Sequence, residues 1–178
     1  MLYKNLPNIV TLIRIILIPF FIAFLLYHYY HNALYTFIIA GLSDILDGYL
    51  ARKLKSHTEI GKLLDPIADK FLLTASFIVF TIIGWIPVWF TIIVISRDIF
   101  ITIGWVLRYL IYGTKSVQPS IIGKSAIALQ MFLVGYILLN NILQEKLIGG
   151  EYLILIVAIL TITSGIQYIY RGLTYSGE

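Results

Sequence analysis

No cysteine occurs among the 178 residues, which excludes both a disulfide framework and a thiolate metal site. Charge is scarce as well. Only 12% of the residues are charged, where about 25% is usual for a soluble domain. There are nine acidic residues, three histidines and five prolines. Hydrophobic residues make up 60% of the chain. The chain therefore reads as an integral membrane protein. Its length suits one domain, residues 1–178, and at roughly 20 residues per span it accommodates about six helices with short loops. Almost no soluble surface remains to bind a nucleic acid. The net charge of +4 is then expected to face anionic lipid and phosphate.

The fold expected is all-α, with six transmembrane helices after a short N-terminal amphipathic segment at residues 3–8. Apolar runs place the spans near 9–30, 33–54, 61–83, 88–112, 120–143 and 152–170. Residues 84–87 (Gly-Trp-Ile-Pro) read as a tight turn. Basic residues are distributed unevenly. Lys4, Arg52, Lys53, Lys55, Lys62, Lys115, Lys124 and Arg171 fall on one side, and Lys146 alone on the other. The positive-inside rule then puts both termini and the 2–3 and 4–5 loops in the cytoplasm. The opening residues do not read as a signal peptide, and a prokaryotic cell membrane is the expected location. His28, His31 and His57 fall at expected interfaces, and the tryptophans fit aromatic belts.

The few acids are concentrated. Asp44 and Asp47 are three apart, and Asp65 and Asp69 are four apart. Each pair shares a helix face, and all four sit in segments apolar enough to lie in a membrane. Carboxylates there mark function by default. Crowded together, they would repel one another and be partly protonated. Divalent cations remove that conflict. Oxygen donors without cysteine or histidine favour Mg²⁺ or Mn²⁺. Four carboxylates have capacity for two such ions, an arrangement suited to displacement at phosphorus. Gly48 and Gly61 lie four residues from Asp44 and Asp65, where a missing side chain lets a ligand approach the backbone. Arg52 adds a guanidinium that matches phosphate, and Thr58 adds a hydroxyl from the loop. Pro66 is expected to kink span 3 or free a carbonyl. A cation or proton pathway would also use intramembrane carboxylates. It does not account for the grouping of all four beside Gly48 and Arg52 at one membrane face.

The pattern Asp44-x2-Asp47-Gly48-x2-Ala51-Arg52-x8-Gly61-x3-Asp65-x3-Asp69 resembles the signature of the CDP-alcohol phosphotransferases. That resemblance implies a six-span membrane enzyme, typically homodimeric, which moves a phosphatidyl group from CDP-diacylglycerol to an alcohol and releases CMP. It further implies that Asp44, Asp47 and Asp65 bind metal, and that Asp69 is both ligand and general base. Gly48, Arg52 and Thr58 would contact the CDP moiety. Asn8 to Thr11 resembles the family's N-terminal strip bordering the nucleotide.

Residues 6–14 (L-P-N-I-V-T-L-I-R) and 61–70 (G-K-L-L-D-P-I-A-D-K) are similar to members that use glycerol 3-phosphate. An anionic acceptor needs a second cationic pocket, for which Arg97, Arg108, Lys115 and Lys124 are candidates. Arg97 could instead pair structurally with Asp98. Ser96-Arg97-Asp98 and Ser125-Ala126 depart from the usual pattern of those members. Phosphatidylglycerol, the acceptor of the family's cardiolipin synthases, stays open as the alternative.

Overall fold

A computed structural model of the chain describes residues 6–54, 59–112, 120–143 and 149–174. Side chains are described at 12–43, 70–104, 106, 107, 110, 120–143 and 149–171. The described residues form six helices and no strand: α1 (Leu6–Leu26), α2 (Tyr30–Leu54), α3 (Glu59–Ile83), α4 (Val88–Tyr112), α5 (Ile121–Leu143) and α6 (Gly150–Thr174). The all-α expectation is met, and α4 has the bounds expected from sequence.

Two expectations are corrected. No amphipathic segment precedes the first helix at residues 6–8, because Leu6, Pro7 and Asn8 already belong to α1. Proline fits there because the first turn has no partner for its missing N–H. Residues 3–5 lie outside the described part. The first helix also ends at Leu26 rather than near Tyr30. His28 adopts a left-handed φ of 62°. Tyr29 N–H donates to Phe24 O at 2.8 Å, and His28 N–H donates to Leu25 O at 3.1 Å. This is the paired bonding of a Schellman end, so the chain turns within three residues and α2 starts at once. α3 closes in the same way. Gly84, at φ 85°, donates to Thr81 O at 3.1 Å, and Trp85 N–H donates to Phe80 O at 2.8 Å. α5 begins on Ser120, whose Oγ accepts the Gly123 N–H at 3.0 Å and caps a helix donor.

α1 packs against α2 and α3, and α5 packs against α2, α3 and α6. α4 packs against α3 and α6. Among the described residues α1 is the principal packing partner of both α2 and α3, followed by α5 for α2 and by α4 for α3. The core is aromatic and aliphatic, with Phe21, Leu25, Phe77, Phe80, Phe90, Leu133 and Ile137 among its members. Large apolar side chains also point outward, including Ile16, Phe20, Phe71, Ile82, Phe100 and Ile159. Polar side chains meanwhile lie inside: Arg14, Ser76, Thr91, Arg97, Gln130, Thr161 and Ser164 are buried. Several bond internally: Gln130 Nε2 donates to Thr161 Oγ1 at 3.0 Å and Ser76 Oγ to Leu72 O at 2.7 Å. An apolar exterior with polar groups turned inward suits a lipid solvent. Among the described residues, Ile121–Leu143 and Gly150–Arg171 are long and apolar enough to cross a membrane.

Gly104 marks a close helix contact: a Cβ there would lie 3.0 Å from Tyr168 Cε1. Gly135 faces Phe37 more loosely, at 3.9 Å.

Candidate active site

The buried stripes of the first helices lead to the carboxylates. On α1, Arg14, Ile18, Phe21 and Leu25 are buried, stepping by four, three and four. On α2 the buried residues Ala33, Phe37 and Ala40 step in the same way. Continued along the helix, that stripe reaches positions 44, 47 and 51. On α3 the buried Leu72, Ser76 and Phe80, continued toward the N-terminus, reach 69 and 65. Spacing of three and four keeps a residue on one helical face. The stripes that build the core thus run on to Asp44, Asp47, Asp65 and Asp69, and the α1 stripe runs on to Thr11 and Asn8. Four carboxylates at those positions would offer an oxygen-only donor set, which fits a hard divalent cation. The side chains of these residues, and of Gly48, Arg52, Gly61 and Arg108, lie outside the described set, as do Thr58 and Lys115 entirely. Among the described residues no three His, Asp or Glu groups gather.

The second cluster is described atom by atom. Arg97, 7% exposed, is the buried charge of α4. Its Nη1 pairs with Asp98 Oδ1 at 2.7 Å, and its Nη2 donates to Ser164 Oγ of α6 at 2.8 Å. The pairing with Asp98 that the sequence left open is therefore present. Adjacent helical residues diverge, but an arginine side chain is long enough to fold back. Two glycines make room for it. A Cβ at Gly165 would lie 3.4 Å from Arg97 Cγ, and one at Gly123 would lie 3.6 Å from Nη2 and 3.5 Å from Ser164 Oγ. Gly123 opens α5, so the guanidinium sits at the positive end of that helix, with Lys124 one residue on. Lys70, next to Asp69 in sequence, donates to Thr102 Oγ1 at 3.0 Å. Thr102 in turn donates to the Asp98 carbonyl at 2.7 Å. A groove of about 250 Å³ lined by Thr74, Asp98 and Thr102 with isoleucines runs alongside. The structure thus joins Arg97 to the α5 N-terminus and brings Lys70 to the same turns of α4.

Sequence reasoning missed Ser164, Gly165 and Ser120 as members of this cluster. T-I-T-S-G at 161–165 carries only the signal of small, polar residues in an apolar run. Arg14 was quoted within a motif but given no role, although a lone arginine in an apolar span is itself a signal.

Comparison with known proteins gives consistent matches. Residues 4–164 match the family model described as CDP-alcohol phosphatidyltransferase. A CDP-diacylglycerol–glycerol-3-phosphate 3-phosphatidyltransferase of Bacillus subtilis is 37% identical over 187 residues, covering 94% of this chain and 95% of the relative. A protein of the same name from Haemophilus influenzae is 41% identical, covering 93% and 91%. A Schizosaccharomyces pombe cardiolipin synthase (CMP-forming) / mitochondrial hydrolase fusion protein is 30% identical over 92% of this chain and 30% of its own length. With its helical core leading to the Asp44–Asp69 signature and the family model covering nearly its whole length, the chain belongs to the CDP-alcohol phosphatidyltransferase family.

Proposed function

We propose that this chain transfers the phosphatidyl group of CDP-diacylglycerol to glycerol 3-phosphate, giving phosphatidylglycerophosphate and CMP. The observation that supports the reading is the run of three buried stripes toward positions 44, 47, 65 and 69, together with the buried Arg97 cluster on α4. The acceptor hydroxyl attacks the phosphatidyl phosphorus, the bond to the CMP oxygen breaks, and the hydroxyl proton passes to Asp69. Asp44, Asp47, Asp65 and Asp69 are the residues to hold two Mg²⁺ or Mn²⁺ ions. Such ions neutralise a diphosphate and its departing phosphate when bound. Gly48, Arg52, Thr58 and Gly61 hold the CDP moiety, with Asn8 and Thr11 along its border. Arg97, Lys124 and Arg108 receive the acceptor phosphate. A buried, already oriented guanidinium loses little freedom on binding and matches phosphate bidentately.

The Haemophilus and Bacillus relatives carry the acceptor in their names. The fission-yeast relative keeps phosphatidylglycerol as the second reading. The chain works as one membrane domain of six spans, with both termini and the site in the cytoplasm, as a homodimer in the cell membrane.

The test is CMP release from CDP-diacylglycerol in detergent, with an acceptor panel of glycerol 3-phosphate and phosphatidylglycerol. Release is expected with glycerol 3-phosphate, lost in EDTA and restored by Mg²⁺ or Mn²⁺. Release with phosphatidylglycerol alone would transfer the assignment to the second reading. No metal-dependent release with either acceptor would overturn the transferase reading.

A further inference from the structure

Arg14 has no part in the reaction as written above, yet it is among the most buried side chains of the protein, at 1% exposure. An arginine stays charged at any physiological pH, and a charge out of water needs a counter-charge. The guanidinium is engaged in the structure. The candidates for its counter-charge are few. α1 packs against α2 and α3, whose acidic residues are Asp44, Asp47, Glu59, Asp65 and Asp69.

Register narrows the choice. α1 and α2 are antiparallel across a three-residue turn. Leu25, Phe21 and Ile18 are the buried positions of α1, and Ala33, Phe37 and Ala40 those of α2, so an antiparallel register with Phe21 opposite Phe37 sets Leu25 opposite Ala33 and Ile18 opposite Ala40. The Phe21 and Phe37 rings lie 6.1 Å apart, which anchors the pairing. Seven residues are about two helical turns, so position 14 lies two turns from Phe21 on the same stripe. Position 44 lies two turns from Phe37 on the facing stripe. The next rung of this ladder is therefore 14 with 44.

We propose that Arg14 is the resident counter-charge of the carboxylate site, paired with Asp44, and so a positioning residue for the metal ligands. The proposal rests on the ligand reading of the four aspartates. In this role Arg14 offsets one of four crowded negative charges before substrate arrives. It also orients Asp44 through a charge-assisted bond from one guanidinium nitrogen, since Nε and Nη2 have no hydrogen-bond partner among the described residues. A divalent cation held by Asp44 would compete with the guanidinium, so the pair would lower apparent metal affinity while stabilising the fold before the ion arrives.

The experiment is a double-mutant cycle on the full chain in detergent, read by thermal unfolding in EDTA, together with Mn²⁺ titration followed by the loss of the free-ion paramagnetic resonance signal. Arg14→Met and Asp44→Asn are each expected to lower the unfolding temperature by roughly 10 °C, the scale of breaking a buried pair in a chain of this size. The double variant should recover at least half of that loss. Arg14→Lys should stay close to wild type. Arg14→Met should bind Mn²⁺ more tightly, on the order of tenfold, because a neighbouring positive charge has gone. If a single variant does not fold, recovery of a folded double variant serves as the readout. Additive losses in the cycle, or a double variant that also fails to fold, would overturn the pair. Unchanged or weaker Mn²⁺ affinity in a folded Arg14→Met would overturn the positioning role. Coupling without Mn²⁺ binding by the wild type would leave the pair standing and overturn the ligand reading on which its role depends.

Discussion

Taking a guanidinium out of water costs several kcal/mol unless it is paired and hydrogen-bonded. Arg97 is paired with Asp98 on its own helix and bonded to Ser164 on α6, with both side chains of the ion pair at or below 14% exposure. The planar fork matters, since a lysine has one nitrogen and cannot reproduce both directions. Arg97→Lys should raise the KM for glycerol 3-phosphate by about 10–100-fold, the worth of a charge-assisted hydrogen bond. The KM for CDP-diacylglycerol should be unchanged. Ser164→Ala should give a smaller rise in the same parameter, because only the orienting bond is lost. Steady-state kinetics with each substrate varied in turn separates the two. A rise confined to the CDP-diacylglycerol KM would remove Arg97 from the acceptor pocket. The sequence presented Arg97 as a choice between a pocket and a pair with Asp98, and the geometry holds the pair at the mouth of α5. Ser164 was illegible for a physical reason. Its hydroxyl acquires meaning only from the packing of α4 on α6, and no local pattern encodes that packing.

Two helix ends of one design show what a turn residue contributes. Gly84 and His28 both occupy the left-handed position of a Schellman end. An L-residue there costs roughly 1–2 kcal/mol, which glycine avoids. Gly84→Ala should therefore lower stability by about 1 kcal/mol, a fall of roughly 2–4 °C for a chain of this length. His28→Gly should raise the unfolding temperature by a similar amount. It forfeits an exposed hydrogen bond between the imidazole Nδ1 and the Tyr30 hydroxyl, with the edge-on contact of the two rings. Differential scanning fluorimetry in one detergent checks both, and a fall with His28→Gly would show that the bond outweighs the backbone strain. The same pair explains which boundaries were legible. Gly84 and Pro87 announce the α3–α4 turn in the sequence, and α3 and α4 begin and end close to where the apolar runs place them. The α1–α2 turn has neither residue, so the first span was expected four residues too long. The carboxylate spacing stands out for the converse reason. Three and four apart is a local property of each helix, and the buried residues Ala33, Phe37 and Ala40 of α2 and Leu72, Ser76 and Phe80 of α3 keep the same period.

At the scale of the whole molecule, two features point to the membrane. Apolar side chains cover the exterior, and polar groups such as Gln130, Thr161 and Ser164 lie within. At the end with the α1–α2 and α3–α4 turns, Tyr27, Tyr29, Trp89 and Tyr152 are exposed, the composition of an interfacial belt. The opposite connections carry the lysines. The number and order of helices followed from the apolar runs alone. Which helix packs on which did not, because an apolar stripe has no address: among the described residues α1 proved the main partner of both α2 and α3. Orientation rests on charge: one Lys stands on the belt side against eight Lys and Arg on the other. The absence of cysteine makes this directly measurable, since any introduced thiol is the only one. Tyr29→Cys and Gln144→Cys should react with a membrane-impermeant maleimide on intact spheroplasts. His57→Cys and Thr114→Cys should react only after lysis. The reverse pattern would invert the protein and place the carboxylate site on the wrong side for CDP-diacylglycerol made in the cytoplasmic leaflet. Reaction of all four in intact cells would mean that the connections do not alternate across a bilayer, and the six-span arrangement would fall with that result.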